Sequence, residues 1–439
     1  MNRTARYDAH GVLKKVLNDG AFLNIALKDV KGLSPQDMAL VTRLTNTTLE
    51  HLNQIDYILE PLIGDKRVHG SVRLVLRMAT CEALFMSTPF RAVVFEAVNL
   101  TKAIGKGQLA GFVNAVLRRM IATKDDVVYP DPKTDIRGYL RVFTGYPEWL
   151  IDEIIEEYGE NFALSLFTYT PDHDQTHVRL NTLAGDTQTI LKNCIKQGLT
   201  ISPDGMFEDG ANVTGFGGIA DSQGYNSGEL TVMGQASMLC VRLAGAEKDM
   251  RVLDACAAPG GKTAYLSAMM ENTGRIAAWD IHPHRVELIE KNMARLQCTN
   301  VSAEVKDAAE YDESLVGVFD LVFLDLPCSS LGLAYKKADV RIGKTKEGIV
   351  SLAALQKSII NAAKNYVKPN GTLMITTCSI TRDESDLTWF FKKNKDFIEQ
   401  KMDMPKGMDY VKKTHGIQLF PHISHMDGFF ICKAKRNPS

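Results

Sequence analysis

Two cysteines, Cys328 and Cys378, occupy positions that favour reactive thiols. Each lies just past a short apolar run that predicts a buried strand, 321–325 for the first and 372–376 for the second. The carboxyl ends of parallel strands meet at one edge of a sheet, so we expect both thiols at that edge. A nearby helix start and the charge of Lys262 would lower a thiol pKa there, and the thiolate is the nucleophilic form. The pattern therefore predicts covalent thiol chemistry, with Lys262 in the catalytic set.

Five other cysteines are predicted to be structural. A lone cysteine is most often a small buried apolar residue. The sequence has no Cys-x-x-Cys pair that would indicate a zinc site or a disulfide framework, so we predict neither a metal nor disulfides. The cysteines interpreted in this way are Cys81, Cys194, Cys240, Cys298 and Cys432.

A turn of small residues indicates a nucleotide-like cofactor. It follows the predicted strand 251–254 and opens a helix, so a ligand could approach the backbone and the helix N-terminus closely. Asp280 closes the next predicted strand, where a carboxylate can accept hydrogen bonds from a ribose diol. The residues of the turn are Cys256, Ala257, Ala258, Pro259, Gly260, Gly261 and Lys262.

A P-loop nucleotide hydrolase is the main alternative at this turn. The Gly-Lys-Thr sequence at its end matches the tail of a Walker A motif, and 321–325 resembles a Walker B strand. The first glycine of that motif is replaced by Cys256, whose side chain would intrude on the phosphate cradle. That alternative also leaves Asp280 and the two thiols without roles. A doubly wound domain with an unused glycine turn stays open as well.

Length and composition indicate a multidomain globular protein. The chain has 439 residues, 45% of them hydrophobic and 23% charged, which is too long for one ordinary core and typical of folded proteins. Its start is polar and no apolar run is long enough to cross a bilayer, so we predict a cytoplasmic protein. Residues 1–124 carry 17 Lys and Arg against 10 Asp and Glu, a net charge of +7, and the remainder carries −8. A basic segment attracts a phosphate backbone, although helical domains that bind nothing are often as basic.

The order of predicted elements divides the chain into three domains. Apolar residues at helical spacing predict an all-α domain over residues 1–130, which ends at the proline-containing sequence 129–132. A mixture of helices and one strand predicts a small α/β domain over residues 140–230. Its tail, 210–228, is interpreted as an irregular loop with at most one hairpin.

Alternating strands and helices over residues 231–437 predict a parallel sheet covered on both faces. Such a sheet binds ligands beyond the carboxyl ends of its strands. The predicted strands are 251–254, 276–280, 302–305, 320–325 and 371–377.

Three motifs, taken together, resemble those of the RNA cytosine-5 methyltransferases that use S-adenosylmethionine. They are the turn through residue 263, Asp-Leu-Pro-Cys-Ser at 325–329, and Thr-Cys-Ser-Ile at 377–380 with Glu384 beyond. Their order and spacing make the resemblance specific.

The N-terminal domain resembles the helical fold of the antitermination factor NusB, through the segments 73–82 and 112–117. A NusB-like domain ahead of such a catalytic domain is characteristic of bacterial small-subunit ribosomal RNA methyltransferases of the Sun or RsmB type. The resemblance implies an all-α NusB-like domain, a small α/β adaptor domain and a Rossmann-like methyltransferase domain. It further implies that the last domain has a seven-stranded, mostly parallel sheet.

The resemblance also implies a role for each site residue. Cys378 would attack carbon 6 of a cytosine, Cys328 would assist the later elimination, and Asp325 would hydrogen-bond the base near N3. The turn would surround the methionine and ribose end of S-adenosylmethionine, with Asp280 on the ribose hydroxyls, Asp307 near the adenine and Asp325 beside the amino group. The target base must leave its stack, so a single-stranded or flipped nucleotide is implied. The implied protein is a monomer that acts on small-subunit ribosomal RNA, and its basic N-terminal domain would bind that RNA. No membrane partner is implied.

Some positions depart from the family pattern. Leu326 replaces a usual alanine, Ser330 replaces a usual glycine, and Met233-Gly234 stand where Gln-Asp is usual. None of these departures removes a catalytic group. Two other functions stay open: the same chemistry on transfer RNA or another ribosomal site, and RNA binding by a NusB-like protein with an inactive methyltransferase scaffold.

Overall fold

The computed structural model describes residues 4–64, 67–171, 175–215 and 218–438. The contacts between residues divide the chain into two compact units. The first unit comprises residues up to 169 together with 334–345, and the second comprises 170–333 and 346–439. This division differs from the boundary expected near residue 130, because the helices that follow the proline-containing segment pack on one another and on an N-terminal helix.

The first unit is helical throughout its described residues. Polar caps start several of its helices: the Thr4 side chain accepts from the Tyr7 N–H, and the Ser34 side chain accepts from the Asp37 N–H. One apolar face of each of the first seven helices, up to residue 123, is buried in a common core. The helices are α1 (Ala5–Asp19), α2 (Leu23–Lys28), α3 (Pro35–Glu50), α4 (Leu52–Ile63), α5 (Gly70–Leu84), α6 (Phe90–Ala103), α7 (Ala110–Thr123), α8 (Ile136–Phe143), α9 (Glu148–Tyr158) and α10 (Glu160–Phe167).

Residues 334–345 leave the second unit and pack within the first. The Leu23 N–H donates to Asp339 Oδ2 at 3.0 Å. The Arg341 guanidinium lies over the Tyr146 ring, 4.5 Å from its centroid, and donates to the Thr144 carbonyl oxygen. No feature of the sequence indicated that this segment belongs with the helices.

The second unit begins with a small antiparallel sheet. Its strands are β1 (Gln175–Leu180), β2 (Thr200–Pro203), β3 (Gly210–Thr214) and β4 (Leu230–Val232), in the order β2-β3-β1-β4. Helices α11 (Thr187–Lys196) and α12 (Gln223–Asn226) accompany it. The expectation of an irregular loop over 210–228 was wrong in part, since β3 pairs with both β1 and β2. Phe216 and Gly217, also within that expectation, lie outside the described residues.

The larger sheet of this unit carries the predicted alternation of strands and helices. Its five parallel strands are β5 (Arg251–Asp254), β6 (Arg275–Asp280), β7 (Val301–Val305), β8 (Phe319–Asp325) and β9 (Val367–Thr377), in the order β9-β8-β5-β6-β7. The strand order therefore reverses at β5, which pairs with β6 on one side and β8 on the other. The helices between and around these strands are α13 (Gln235–Ala244), α14 (Gly261–Met269), α15 (Pro283–Arg295), α16 (Lys346–Ala363) and α17 (Thr388–Lys393).

Four short C-terminal strands extend the sheet in antiparallel fashion. They are β10 (Phe397–Glu399), β11 (Val411–Lys412), β12 (Ile417–Leu419) and β13 (Phe429–Arg436), with α18 (Pro421–Ser424) before the last. The described residues thus form a nine-stranded mixed sheet, and the expected count of seven was wrong. Strands of two or three residues carry too little hydrophobic periodicity to be recognised in a sequence. The predicted fold class, a helical N-terminal region followed by a Rossmann-like α/β fold, is confirmed.

None of the helices within the described ranges is long and apolar enough to cross a membrane.

Candidate active site

The carboxyl ends of the five parallel strands carry most of the site residues that the sequence indicated. Asp254, Asp280 and Asp325 are the last residues of β5, β6 and β8. Asp307 lies two residues after β7, and Cys378 directly follows β9. β8 and β9 are neighbours, with Asp325 opposite Thr376, so the predicted adjacency of the two thiol-bearing strands is confirmed.

The turn between β5 and α14 is held open by side chains of α15. Gly260 adopts a φ of +98°, which favours glycine, and α14 begins without a side-chain cap on its first N–H groups. Arg285 donates to the Ala258 carbonyl oxygen at 3.1 Å, and Asn292 donates to the Pro259 carbonyl oxygen at 2.7 Å. Hydrogen bonds from α15 therefore fix the backbone of the turn, while the first N–H groups of α14 remain available to a ligand.

Three carboxylates lie at the carboxyl ends of β5, β6 and β7, and their surroundings differ. Burial raises the pKa of Asp254 to about 7, although its Oδ2 accepts from the Thr263 hydroxyl at 2.7 Å. Asp280 is buried, accepts from the His282 N–H at 3.0 Å and pairs with Arg285 at 3.1 Å. Asp307 is half-buried and accepts from the N–H two residues on, as a capping residue would.

Lys262 and Asp325 form an ion pair at the carboxyl end of β8. Lys262 Nζ lies 2.6 Å from Asp325 Oδ2, and the Thr376 hydroxyl donates to Asp325 Oδ1 at 3.0 Å. Burial alone would lower the pKa of Lys262, but the adjacent negative charge of Asp325 outweighs it and raises that pKa. Lys262 therefore stays protonated and contributes a fixed positive charge.

The two thiols meet beside this pair. Cys328 Sγ and Cys378 Sγ are 2.8 Å apart and both cysteines are free. The hydrogen bond from Cys328 lowers the pKa of Cys378 despite burial, and the charge of Lys262 acts in the same direction. The same contact, together with burial, raises the pKa of Cys328 well above its usual value. The electrostatics of the pair thus favour deprotonation of Cys378 over that of Cys328.

The cysteines predicted to be structural behave differently. Burial raises the pKa of Cys81 to about 12 and that of Cys194 to about 11. Cys240 and Cys432 are also buried, and Cys298 is half-buried. Among the eight cysteines a lowered thiol pKa is therefore confined to Cys378, since the pKa of each of the other seven is raised.

A buried carboxylate, Glu384, joins the two thiol-bearing segments. Its Oε2 accepts from the hydroxyls of Ser329 and Ser379 at 2.6 and 2.5 Å, and these serines directly follow Cys328 and Cys378. Its Oε1 accepts from the Ser329 N–H at 2.8 Å and from Gln356 at 3.1 Å. The motif pattern placed Glu384 near the site without a role, and no sequence signal pointed to Gln356 on α16.

Across the four described stretches of the chain, no group of three or more His, Cys, Asp or Glu side chains is placed to hold a metal ion.

Comparison with known proteins matches both halves of the chain to described families. The model of the 16S rRNA methyltransferase RsmB/F family matches residues 240–435, and the model of the NusB family matches residues 3–122. Among solved structures, PH0851 superposes with a TM-score of 0.81 at 21% identity, covering 99% of this chain and all of that one. NSun6 from Pyrococcus horikoshii, solved with SFG, has a TM-score of 0.59 at 19% identity, covering 67% of this chain and all of that one. At these identities the likeness concerns the fold.

A curated relative extends the match to the full length. The probable ribosomal RNA small subunit methyltransferase B of Bacillus subtilis (strain 168) is 31% identical over 448 aligned residues, covering 99% of this chain and 100% of the relative. The two family matches occur in the order that the motifs predicted. The chain therefore belongs to the ribosomal RNA small subunit methyltransferase B family.

Proposed function

We propose that the protein transfers a methyl group from S-adenosylmethionine to carbon 5 of a cytidine in small-subunit ribosomal RNA through a covalent adduct with Cys378. The observation that carries the proposal is the pair of unlike thiols, 2.8 Å apart, at the ends of neighbouring strands. Membership of the ribosomal methyltransferase family supports the methyl transfer and the substrate class. The thiol pair supports cytosine carbon 5, because that carbon becomes nucleophilic only after a nucleophile has added to carbon 6.

The residues at the sheet edge fit S-adenosylmethionine. Asp254 Oδ1 is buried and has no hydrogen-bond partner among the described residues, so it is available to a donor from a ligand. A Cβ built on Gly261 would meet no atom within 4 Å, so the space beside the start of α14 is open. We assign the turn to the methionine and ribose end, Asp280 to the ribose hydroxyls, Asp307 to the adenine and Asp325 to the amino group. When bound, the cofactor supplies an electrophilic methyl group.

The thiols then carry the chemistry on the base. Cys378 Sγ attacks carbon 6, the carbon 5–carbon 6 double bond opens, and the electron pair moves into the ring as an enamine whose carbon 5 takes the methyl group. A base then removes the proton from carbon 5, the double bond re-forms, and the carbon–sulfur bond breaks with its electrons returning to Cys378. Cys328 is placed to assist this last elimination.

Lys262 and Asp325 stabilise the charge that develops on the ring. We assign Asp325 to a hydrogen bond with the cytosine near N3, and the protonated Lys262, 2.6 Å from Asp325 Oδ2, adds a fixed positive charge there. The positive charge of Lys262 also favours the thiolate of Cys378. In this proposal one ion pair therefore stabilises both the Cys378 thiolate and the cytosine ring.

Methylation of defined RNA tests the proposal. Purified protein should incorporate radiolabelled methyl from S-adenosylmethionine into small-subunit ribosomal RNA, and bisulfite sequencing should place 5-methylcytidine at one cytidine. Transfer RNA and large-subunit RNA serve as competing substrates in the same assay. Labelling of transfer RNA alone would mean that transfer RNA is the substrate. Binding of the cofactor without labelling of any RNA would favour the alternative of an inactive methyltransferase scaffold.

The helical unit offers a surface that suits an RNA strand. A groove of about 800 Å³ runs between α6 and α7, and its lining contains three cations and no carboxylate. Phe95 is 64% exposed in this groove, which is an arrangement that allows a base to stack on the ring. Within the described residues Arg91 and Lys102 have no ion-pair partner, and Arg118 bonds only to Asn114. We assign this groove to phosphate and base contacts that place the substrate.

Charge reversal in the groove should weaken RNA binding. Arg118→Glu should lower the affinity for a small-subunit ribosomal RNA fragment roughly tenfold at moderate salt, because it removes one phosphate contact and adds a repulsive charge. The slope of log affinity against log salt should fall by about 0.7 for a single-stranded contact. Fluorescence anisotropy across a salt series measures both quantities.

Arg119→Glu is the matched control, since Arg119 is the exposed neighbour of Arg118 on α7 and does not line the groove. Phe95→Ala, which removes the ring on which a base could stack, should also weaken RNA binding, and Phe22→Ala, at another exposed aromatic of the same unit, is its control. Equal losses in Arg118→Glu and Arg119→Glu would mean that only overall charge matters and would remove the groove from the proposal.

A further inference from the structure

Ser330 lies on a loop whose two sides are fixed independently. On one side, the Ser329 side chain is buried and bonded to Glu384 at 2.6 Å. On the other side, the Gly332 N–H donates to the Cys378 carbonyl oxygen at 3.0 Å, and the Gly428 N–H donates to the Gly332 carbonyl oxygen at 2.9 Å. A Cβ at Gly332 would lie 1.9 Å from the Gly428 carbonyl oxygen, so the two backbone segments pack too closely there for a residue other than glycine.

Between these anchors Ser330 adopts a left-handed backbone conformation. Its φ is +60°, a region that residues with a Cβ enter at a cost and glycine enters freely. A side chain kept at such a position calls for a compensating contact.

The compensating contact is with the nucleophile. Ser330 Oγ lies 3.4 Å from Cys378 Sγ. A neutral Cys378 can donate its thiol proton to the hydroxyl, whereas a Cys378 thiolate can only accept from it. The hydroxyl rotates to serve either state, but its bond to the charged sulfur is the stronger one.

We propose that Ser330 is a positioning residue for Cys378, whose hydroxyl stabilises the thiolate both before attack on carbon 6 and when the sulfur departs. The inference rests on the proposed function for its role in turnover, but the contact itself concerns the free enzyme. The lowered pKa of Cys378, to which the Ser330 hydroxyl contributes, agrees with this direction.

Removal of the hydroxyl should change the pH profile in a characteristic way. A rise of about one unit in the thiol pKa lowers the thiolate fraction tenfold at pH values below it. The more basic thiolate is intrinsically about threefold more nucleophilic, since nucleophilicity rises with pKa at a slope near 0.45. Reaction of the Cys378 thiolate should therefore be about threefold slower in the variants at pH values below the thiol pKa and about threefold faster above it.

The experiment compares Ser330→Ala, which keeps the Cβ, with Ser330→Gly, which also relieves the left-handed φ. In the intact protein without RNA or cofactor, the pH dependence of iodoacetamide alkylation at Cys378, resolved by peptide mass spectrometry, should move upward by about one unit in both variants. Ser358→Ala, on α16, removes a hydroxyl that bonds only to the Ala354 carbonyl oxygen and should move nothing.

Single-turnover methylation across pH completes the test. Crossing profiles in both variants support the proposal, whereas equal loss at every pH, or an unmoved alkylation profile, overturns it. If the alkylation profile shifts but the protein methylates no RNA, Ser330 remains the hydrogen-bond donor to the Cys378 thiolate and the proposed methyltransferase function is rejected. The two proposals can therefore fail separately.

Discussion

Replacement of Cys378 by alanine should abolish methyl transfer. Without the sulfur no adduct forms at carbon 6, carbon 5 stays a poor nucleophile, and the single-turnover rate should fall by at least roughly 1,000-fold. No denaturant-resistant protein–RNA complex should appear. Incorporation of radiolabelled methyl into RNA and electrophoresis under denaturing conditions measure the two outcomes.

Affinities and a matched thiol separate this loss from misfolding. Binding of S-adenosylmethionine and of RNA should be retained in Cys378→Ala, because the side chain contributes no contact that the proposal assigns to either ligand. Cys194→Ala is the control, since Cys194 is also a free thiol of the second unit but packs in the core of the small antiparallel sheet. Retention of activity in Cys378→Ala would disprove the assignment of the nucleophile.

Replacement of Cys328 by alanine should trap the reaction after methylation. The elimination then lacks its assisting group, turnover should fall roughly 100-fold or more, and a covalent protein–RNA complex should accumulate. The same denaturing gel detects that complex as a band of lower mobility. It should require S-adenosylmethionine if methylation precedes the block.

The electrostatics of the thiol pair support the proposed order in which Cys328 acts second. Its pKa is raised first by its hydrogen bond with Cys378 and then by burial. Once Cys378 Sγ is bound to carbon 6 it carries no charge, so that contact no longer opposes deprotonation of Cys328. In the proposed mechanism Cys328 would then lose its own proton more readily, which a thiol must do before it can accept the proton from carbon 5. Accumulation of a complex in Cys378→Ala and not in Cys328→Ala would reverse the two roles.

The chemistry-bearing residues were predictable because their placement follows from local rules. A run such as 319–325 predicts a buried strand by composition, and a residue that ends a parallel strand must lie at the ligand-binding edge. Asp280, Asp325 and Cys378 fall there for that reason. The short strands β10 to β12 were not predictable, since two or three residues carry too little hydrophobic periodicity, and the pairing of β3 with β1 was not, since a helix and a strand separate them along the chain.

The sequence by itself determined the order of the domains, the parallel strands, the cofactor turn and the identity of the two thiols. Only the tertiary structure decided which thiol is the more acidic, because that depends on distances among Cys328, Cys378 and Lys262, which lie far apart along the chain. It also placed Glu384 between the two motifs, moved residues 334–345 into the helical unit and brought the Ser330 hydroxyl to the nucleophile. Local propensity acts over a few residues, whereas a pKa is set by every charge and donor that folding brings within a few ångströms.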